Sequence, residues 1–70
     1  MEEKYLLMLD SEYYCGIYQG DISTGTYKEA TRFSSKEALL KELSVHNNIV
    51  EYDIQENHTE VKIINILEWN

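Results

Sequence analysis

The chain has no proline, three glycines, one phenylalanine, one tryptophan and a single cysteine. It has no internal repeat, low-complexity tract or linker, and its 70 residues suffice for one domain, 1–70, and not for two. With only Cys15, an internal disulfide is excluded, and a lone thiol fits a reducing compartment. The longest apolar run near the start, Leu6 to Leu9, is too short for a signal-peptide core, and Met1-Glu2-Glu3-Lys4 lacks a basic leader. No stretch approaches the ~18 apolar residues of a membrane span. A cytoplasmic location is therefore expected, and the acceptor-like Asn57-His58-Thr59 carries no meaning without secretion.

Positive charge is scarce as well. Thirteen acids face six bases, for a formal net charge of −7. No basic patch for phosphate contacts is visible, so direct DNA or RNA binding is not expected, and an anionic membrane surface would repel the chain. The charge suits a basic protein surface, or serves solubility alone. A domain of this size buries only about 60% of the surface its unfolded chain exposes. Small domains usually need a staple, and with disulfides excluded, a partner or a second copy is the natural one.

What is present points to an α+β fold. The run Phe33-Ser34-Ser35-Lys36-Glu37-Ala38-Leu39-Leu40 reads as a helix start. Ser34 is placed at the N-cap, with Glu37 three residues on completing a capping box and Phe33 stapling onto Ala38. Leu39, Leu40 and Leu43 form an apolar stripe opposite Lys36, Glu37, Lys41 and Glu42, with Glu37 and Lys41 as an i,i+4 pair. Asn47-Asn48 suits the end of a helix over about 35–46.

The remainder reads as strands. Lys4 to Leu9 is one. Tyr13 to Ile22 is another, with Gly16 and Gly20 suggesting a bulge or a close backbone approach. Ser23-Thr24-Gly25-Thr26 resembles a hairpin turn with Gly25 at a positive-φ position. Tyr27 to Phe33 alternates, as does Ile49 to Gln55. Thr59 to Trp69 is a long last strand with apolar residues on both faces, which predicts a central strand or one covered by a second subunit. The order is β-β-β-α-β-β: a mostly antiparallel sheet of about five strands with one amphipathic helix on one face.

Catalytic and metal signals are weak. His46 and His58 have no second ligand at metal spacing, and a helix C-terminus explains His46. Glu51, Asp53, Glu56 and Glu60 lack the glycine and spacing of a calcium loop, so a solvated acidic face is the better reading. Cys15 has no basic neighbour in sequence to lower its pKa and reads as an inert thiol. The glycines have neither the spacing nor the helix start of a phosphate loop. The chain is read as a non-enzyme with no cofactor and no metal.

Six tyrosines, Tyr5, Tyr13, Tyr14, Tyr18, Tyr27 and Tyr52, and Trp69 remain. They suit binding hot spots, and sheets favour tyrosine in any case. Alternation places Tyr14 and Tyr18 on one face of their strand and Tyr13 on the other. In the C-terminal part, Glu51, Asp53, Glu56, Glu60 and Glu68 face the single base Lys62. The candidate partner-binding set is Glu51, Asp53, Glu56, Glu60, Tyr14 and Tyr18.

In overall character, a short acidic chain of a few strands and one helix, this sequence resembles phage and mobile-element inhibitors such as the anti-CRISPR proteins. That resemblance implies binding to a host effector, such as a basic nucleic-acid-binding protein, and transfers no functional residue. The segment from Thr24-Gly25 through Leu40 is similar to a strand-turn-strand-helix pattern of many small bacterial proteins, which supports the fold alone. The competing expectation is a small self-associating structural or adaptor subunit, a homodimer whose long last strand pairs with its own copy.

Overall fold

A computed structural model describes residues 1–47 and 59–69. The expected class holds. The protein is α+β, with an antiparallel sheet and one α-helix among the described residues. Among the described residues the sheet has four strands, against the about five expected, in the order β3-β2-β1-β4: β1 is Glu2–Leu9, β2 Glu12–Tyr18, β3 Asp21–Gly25 and β4 Val61–Glu68. The expected strand at Ile49 to Gln55 lies outside the described residues.

The run Leu6-Leu7-Met8-Leu9 explains why β1 takes an interior position. Neighbouring residues of a strand point to opposite faces, so a continuous apolar run needs cover on both. Leu6 and Leu7 are 0% and 1% exposed. Leu7 and Leu9 join Tyr14, Phe33 and Leu39 in the main core beneath the helix. Leu6 belongs to the other face, with Met8 and its cross-strand partner Tyr13. β4 pairs along the whole of β1, from Glu2↔Glu68 to Leu9↔Val61. The last strand was expected at the centre of the sheet or beneath a second subunit. Among the described residues it is an edge strand, and β1 holds the central place.

The long strand expected over Tyr13 to Ile22 is two strands and a turn. Gln19 and Gly20 have φ of 51° and 81°, as a two-residue type I′ turn requires, and Tyr18 pairs with Asp21 across it. Gly25 does not occupy a positive-φ turn. It sits in β3, where an added Cβ would lie 2.8 Å from Glu29 Oε1 and 3.1 Å from Cys15 Sγ, so glycine there permits close packing.

The bulge suggested by Gly16 is present. The β2–β3 register shifts between Tyr14 and Gly16, and Gly16 has a φ of 112°. An extra residue reverses the side-chain alternation beyond it. Ile17 therefore joins the core side with its partner Ile22, and Tyr18 turns away. Tyr14 and Tyr18 do not share a face, contrary to simple alternation.

Tyr27 to Phe33 is not a strand either. It begins with a 3-10 helix, Tyr27–Glu29, whose start is held by the Glu29 carboxylate accepting from the Thr26 N–H and hydroxyl, both at 2.9 Å. The chain then slips between β1 and β2 where they diverge. Thr31 N–H donates to Tyr14 O at 3.0 Å, and Phe33 and Tyr5 exchange both main-chain bonds at 2.9 and 3.0 Å. These contacts occupy backbone groups that the parting strands would otherwise leave unpaired.

The 26–32 segment lies on the face opposite the helix. Tyr27 packs edge-on against Tyr13, with ring centroids 5.7 Å apart, and the Arg32 guanidinium lies 4.9 Å from the Tyr27 ring centre. Arg32 also donates to the Tyr27 and Ala30 carbonyls at 2.6 and 2.8 Å and pairs with Glu68 at 3.1 Å. One side chain thus fastens the strap to β4, beside the like-charged cross-strand pair Glu2↔Glu68.

The helix, α1, spans Lys36–Val45, and its cap is Ser35, not Ser34. Ser35 Oγ accepts from Ala38 N–H at 3.0 Å. With Ser35 as cap, the third helical residue is Ala38, so no Glu37 capping box forms. The one-residue shift has a packing cause. Phe33 is pinned to Tyr5, and starting the helix at Lys36 directs Leu39 and Leu43 into the core. Leu40, expected in the apolar stripe, is exposed. Glu42, expected on the solvent side, instead accepts the Tyr14 hydroxyl at 2.8 Å.

Candidate protein-binding surface

Strand direction decides which acids meet. The chain turns at Asp10-Ser11 between β1 and β2, and β4 starts beside that turn because Val61 pairs with Leu9. Asp10 N–H donates to Glu60 O at 2.8 Å, and Glu60 N–H donates back to Asp10 Oδ1 at 2.9 Å. Glu12 follows the turn, and its carboxylate accepts from the Thr24 hydroxyl of β3. Asp10, Glu12 and Glu60 are all exposed, and they come from two distant parts of the sequence to one end of the sheet. Leu9, Asp10, Ser11, Glu12, Ile22, Thr24 and Thr59 line an open depression of about 430 Å³ at this end. Lys62 lies 3.6 Å from Glu60.

The candidate residues from sequence divide accordingly. Glu51, Asp53 and Glu56 lie outside the described residues. Glu60 is exposed and belongs to the acidic end. Tyr14, 1% exposed, is a core residue stacked on Phe33 and offers no surface to a partner. Tyr18 is 69% exposed but sits at the β2–β3 turn, the opposite end of the sheet from Glu60. One contiguous site cannot contain both.

Asp10 and Glu12 were missed from sequence because they flank a turn and look like ordinary turn acids. The usable signal was the short gap, Asp10-Ser11-Glu12, between the apolar β1 run and the tyrosines, which marks a tight hairpin. Pairing of β1 with the last strand was not legible in that gap.

The remaining polar groups have local explanations. Burial raises the Tyr14 phenol's pKa well above its usual value, and the hydrogen bond and charge of Glu42 push it further the same way. Burial likewise raises the Cys15 thiol, with Glu29 and Glu12 adding to the effect, so the thiolate is disfavoured. Glu29 is lowered, first by the Thr26 N–H and then by the Thr26 hydroxyl. His46 is the half-buried C-cap of α1. Among the described residues, no three His, Cys, Asp or Glu side chains converge to hold a metal ion, and no helix is long and apolar enough to cross a membrane.

No protein-family model matches the chain, and no curated protein or solved structure shows significant similarity to it.

Proposed function

We propose that this chain is a non-enzymatic, cytoplasmic protein-binding module that docks its acidic sheet end onto a basic surface of a larger protein. In this reading it acts as an inhibitor, in the manner of the phage and mobile-element proteins it resembles. The observation that carries the proposal is the pair of exposed acids Asp10 and Glu12 lining an open depression, with exposed Glu60 at the same end of the sheet, in a chain of net charge −7. Such a surface steers a basic partner by long-range attraction, and its rim charges act mainly on the association rate. A nucleic-acid-binding protein has the complementary charge, and the same acids would repel the nucleic acid itself.

The test replaces Glu12 and Glu60 with Lys, leaving Asp10 because its carboxylate holds the Glu60 N–H. A partner captured from host lysate and identified by mass spectrometry should associate at least several-fold more slowly with the double variant, and more slowly with wild type as salt rises. Equal rates for both proteins, with circular dichroism unchanged, would reduce the acids to a solubility role.

A second reading, a self-associating subunit, is favoured by β4. Ile63 and Leu67 are exposed on one face of this edge strand and Trp69 just past its end, Leu67 at 61% and Trp69 at 81%.

A further inference from the structure

We propose that β4 pairs antiparallel with β4 of a second copy, about a two-fold axis at Asn65, giving a continuous eight-stranded sheet. Tyr5 exchanges its main-chain bonds with Phe33, on the side of β1 away from β4. Alternation then turns the main-chain groups of Lys4, Leu6 and Met8 toward β4, where they face Ile66, Ile64 and Lys62. At the end of the ladder, Asp10 N–H bonds Glu60 O, in the same phase. The N–H and C=O groups of Val61, Ile63, Asn65 and Leu67 therefore point outward, and among the described residues no strand lies beside them. An edge of this length with apolar side chains is a template for another strand.

The occupant is a second copy because β4 is complementary to itself read backwards. A two-fold axis normal to the sheet pairs residues of the same face, which restricts the axis to one residue. With the axis at Asn65, that residue meets its own copy and exchanges both main-chain bonds. Ile63 then faces Leu67′, Ile64 faces Ile66′, Val61 faces Trp69′ and Lys62 faces Glu68′, where primes mark the second copy. Every apolar residue meets an apolar one and the basic residue meets an acid. Moving the axis to Ile64 sets Glu60 against Glu68′, and moving it to Ile66 sets Ile64 against Glu68′ and Asn65 against Leu67′. Only the Asn65 register matches throughout. The exposed Ile63, Leu67 and Trp69 of both copies then form one shared apolar stripe. An interface of one strand pair falls at the small end of the usual range, under ~1,200 Å² in total, so the dimer should be weak and concentration-dependent.

Sedimentation velocity over a concentration series should show monomer passing to dimer. Leu67→Lys sets a charge against Ile63′ twice per dimer and should weaken association more than about tenfold, by the usual worth of a buried aliphatic side chain. Lys62→Glu, which brings like charges together without touching the core, should weaken it as well. Register is read separately, in a Cys15→Ser background with a short bismaleimide. Asn65→Cys should crosslink to dimer. Ile63→Cys should not, because its copies lie four residues apart along the strand pair, roughly 13 Å. A protein that stays monomeric at millimolar concentration overturns the proposal. So does a dimer that Leu67→Lys leaves intact, or one in which position 63 crosslinks and position 65 does not. None of these results depends on the acidic sheet end or its partner.

Discussion

Tyr14 lies in the core with its hydroxyl on Glu42, and this one contact ties β2 to the helix. A buried phenol whose neutral form is hydrogen-bonded to a carboxylate resists ionisation, as its raised pKa reflects. An unfolded tyrosine ionises near pH 10. The stabilisation from Tyr14 is therefore complete below about pH 10 and is lost as pH rises from there through the folded value. Chemical denaturation of wild type and Tyr14→Phe should give a stability difference that is constant from neutral pH to about 10 and then moves against wild type. A difference that stays level into strong alkali would mean that Tyr14 ionises freely in the folded protein. The core position of Tyr14 was not legible from alternation, because the extra residue at Cys15 changes the parity of everything after it. Gly16 signalled a bulge but not which residue it would follow.

At the scale of elements, the helix and the strap show two ways in which local signals mislead. Ser34-Ser35 offers two caps one residue apart, and the capping-box spacing favours Ser34 on sequence grounds. The structure chooses Ser35, because tertiary packing of Leu39 and Leu43 outweighs one side-chain contact to Glu37. Ser35→Ala should destabilise the domain by about 0.5–2 kcal/mol, whereas Ser34→Ala, at an exposed position, should stay within about 0.5 kcal/mol of wild type. Thermal melts of the two variants distinguish them, and a larger loss from Ser34→Ala would return the cap to Ser34. In the strap, a period-two pattern from Tyr27 to Phe33 predicted a strand. The competing signal was Thr26-Tyr27-Lys28-Glu29, the T-x-x-E spacing of a helical start, and it prevailed. The buried residues there, Ala30 and Phe33, lie three apart, and strand character survives only as the bridge at Phe33. The strands that were legible, β1 and β4, are those whose apolar content alone demands a sheet. The order in which they pair depends on contacts distant in sequence, which no local pattern records.

At the scale of the whole molecule, charge is the dominant global feature, and it was legible from composition. Thirteen acids face six bases, and three ion pairs occur among the described residues: Lys4–Glu2, Arg32–Glu68 and Lys62–Glu60. Two of these join residues two apart in sequence and have at least one side chain half exposed or more, so each contributes little. Arg32–Glu68 is more sheltered, with side chains 23% and 29% exposed, and salt screens it less. Against these stand acids outside the three pairs at both ends of the sheet, with Glu3 and Asp21 exposed at one and Asp10 and Glu12 at the other. A net charge of −7 on a chain this small makes self-repulsion a standing cost of the compact state. The Debye length shrinks from about 30 Å at 0.01 M to about 10 Å at 0.1 M, which removes repulsion across the molecule before it touches a contact pair. Sodium chloride added over that range at neutral pH should therefore raise the melting temperature. The measurement belongs at low protein concentration, where association does not contribute, and with chloride rather than sulfate, whose exclusion from protein surfaces stabilises by another route. A melting temperature that falls with salt would show that attractive pairs outweigh the repulsion, and the acidic ends would then be balanced locally rather than left available for a basic partner.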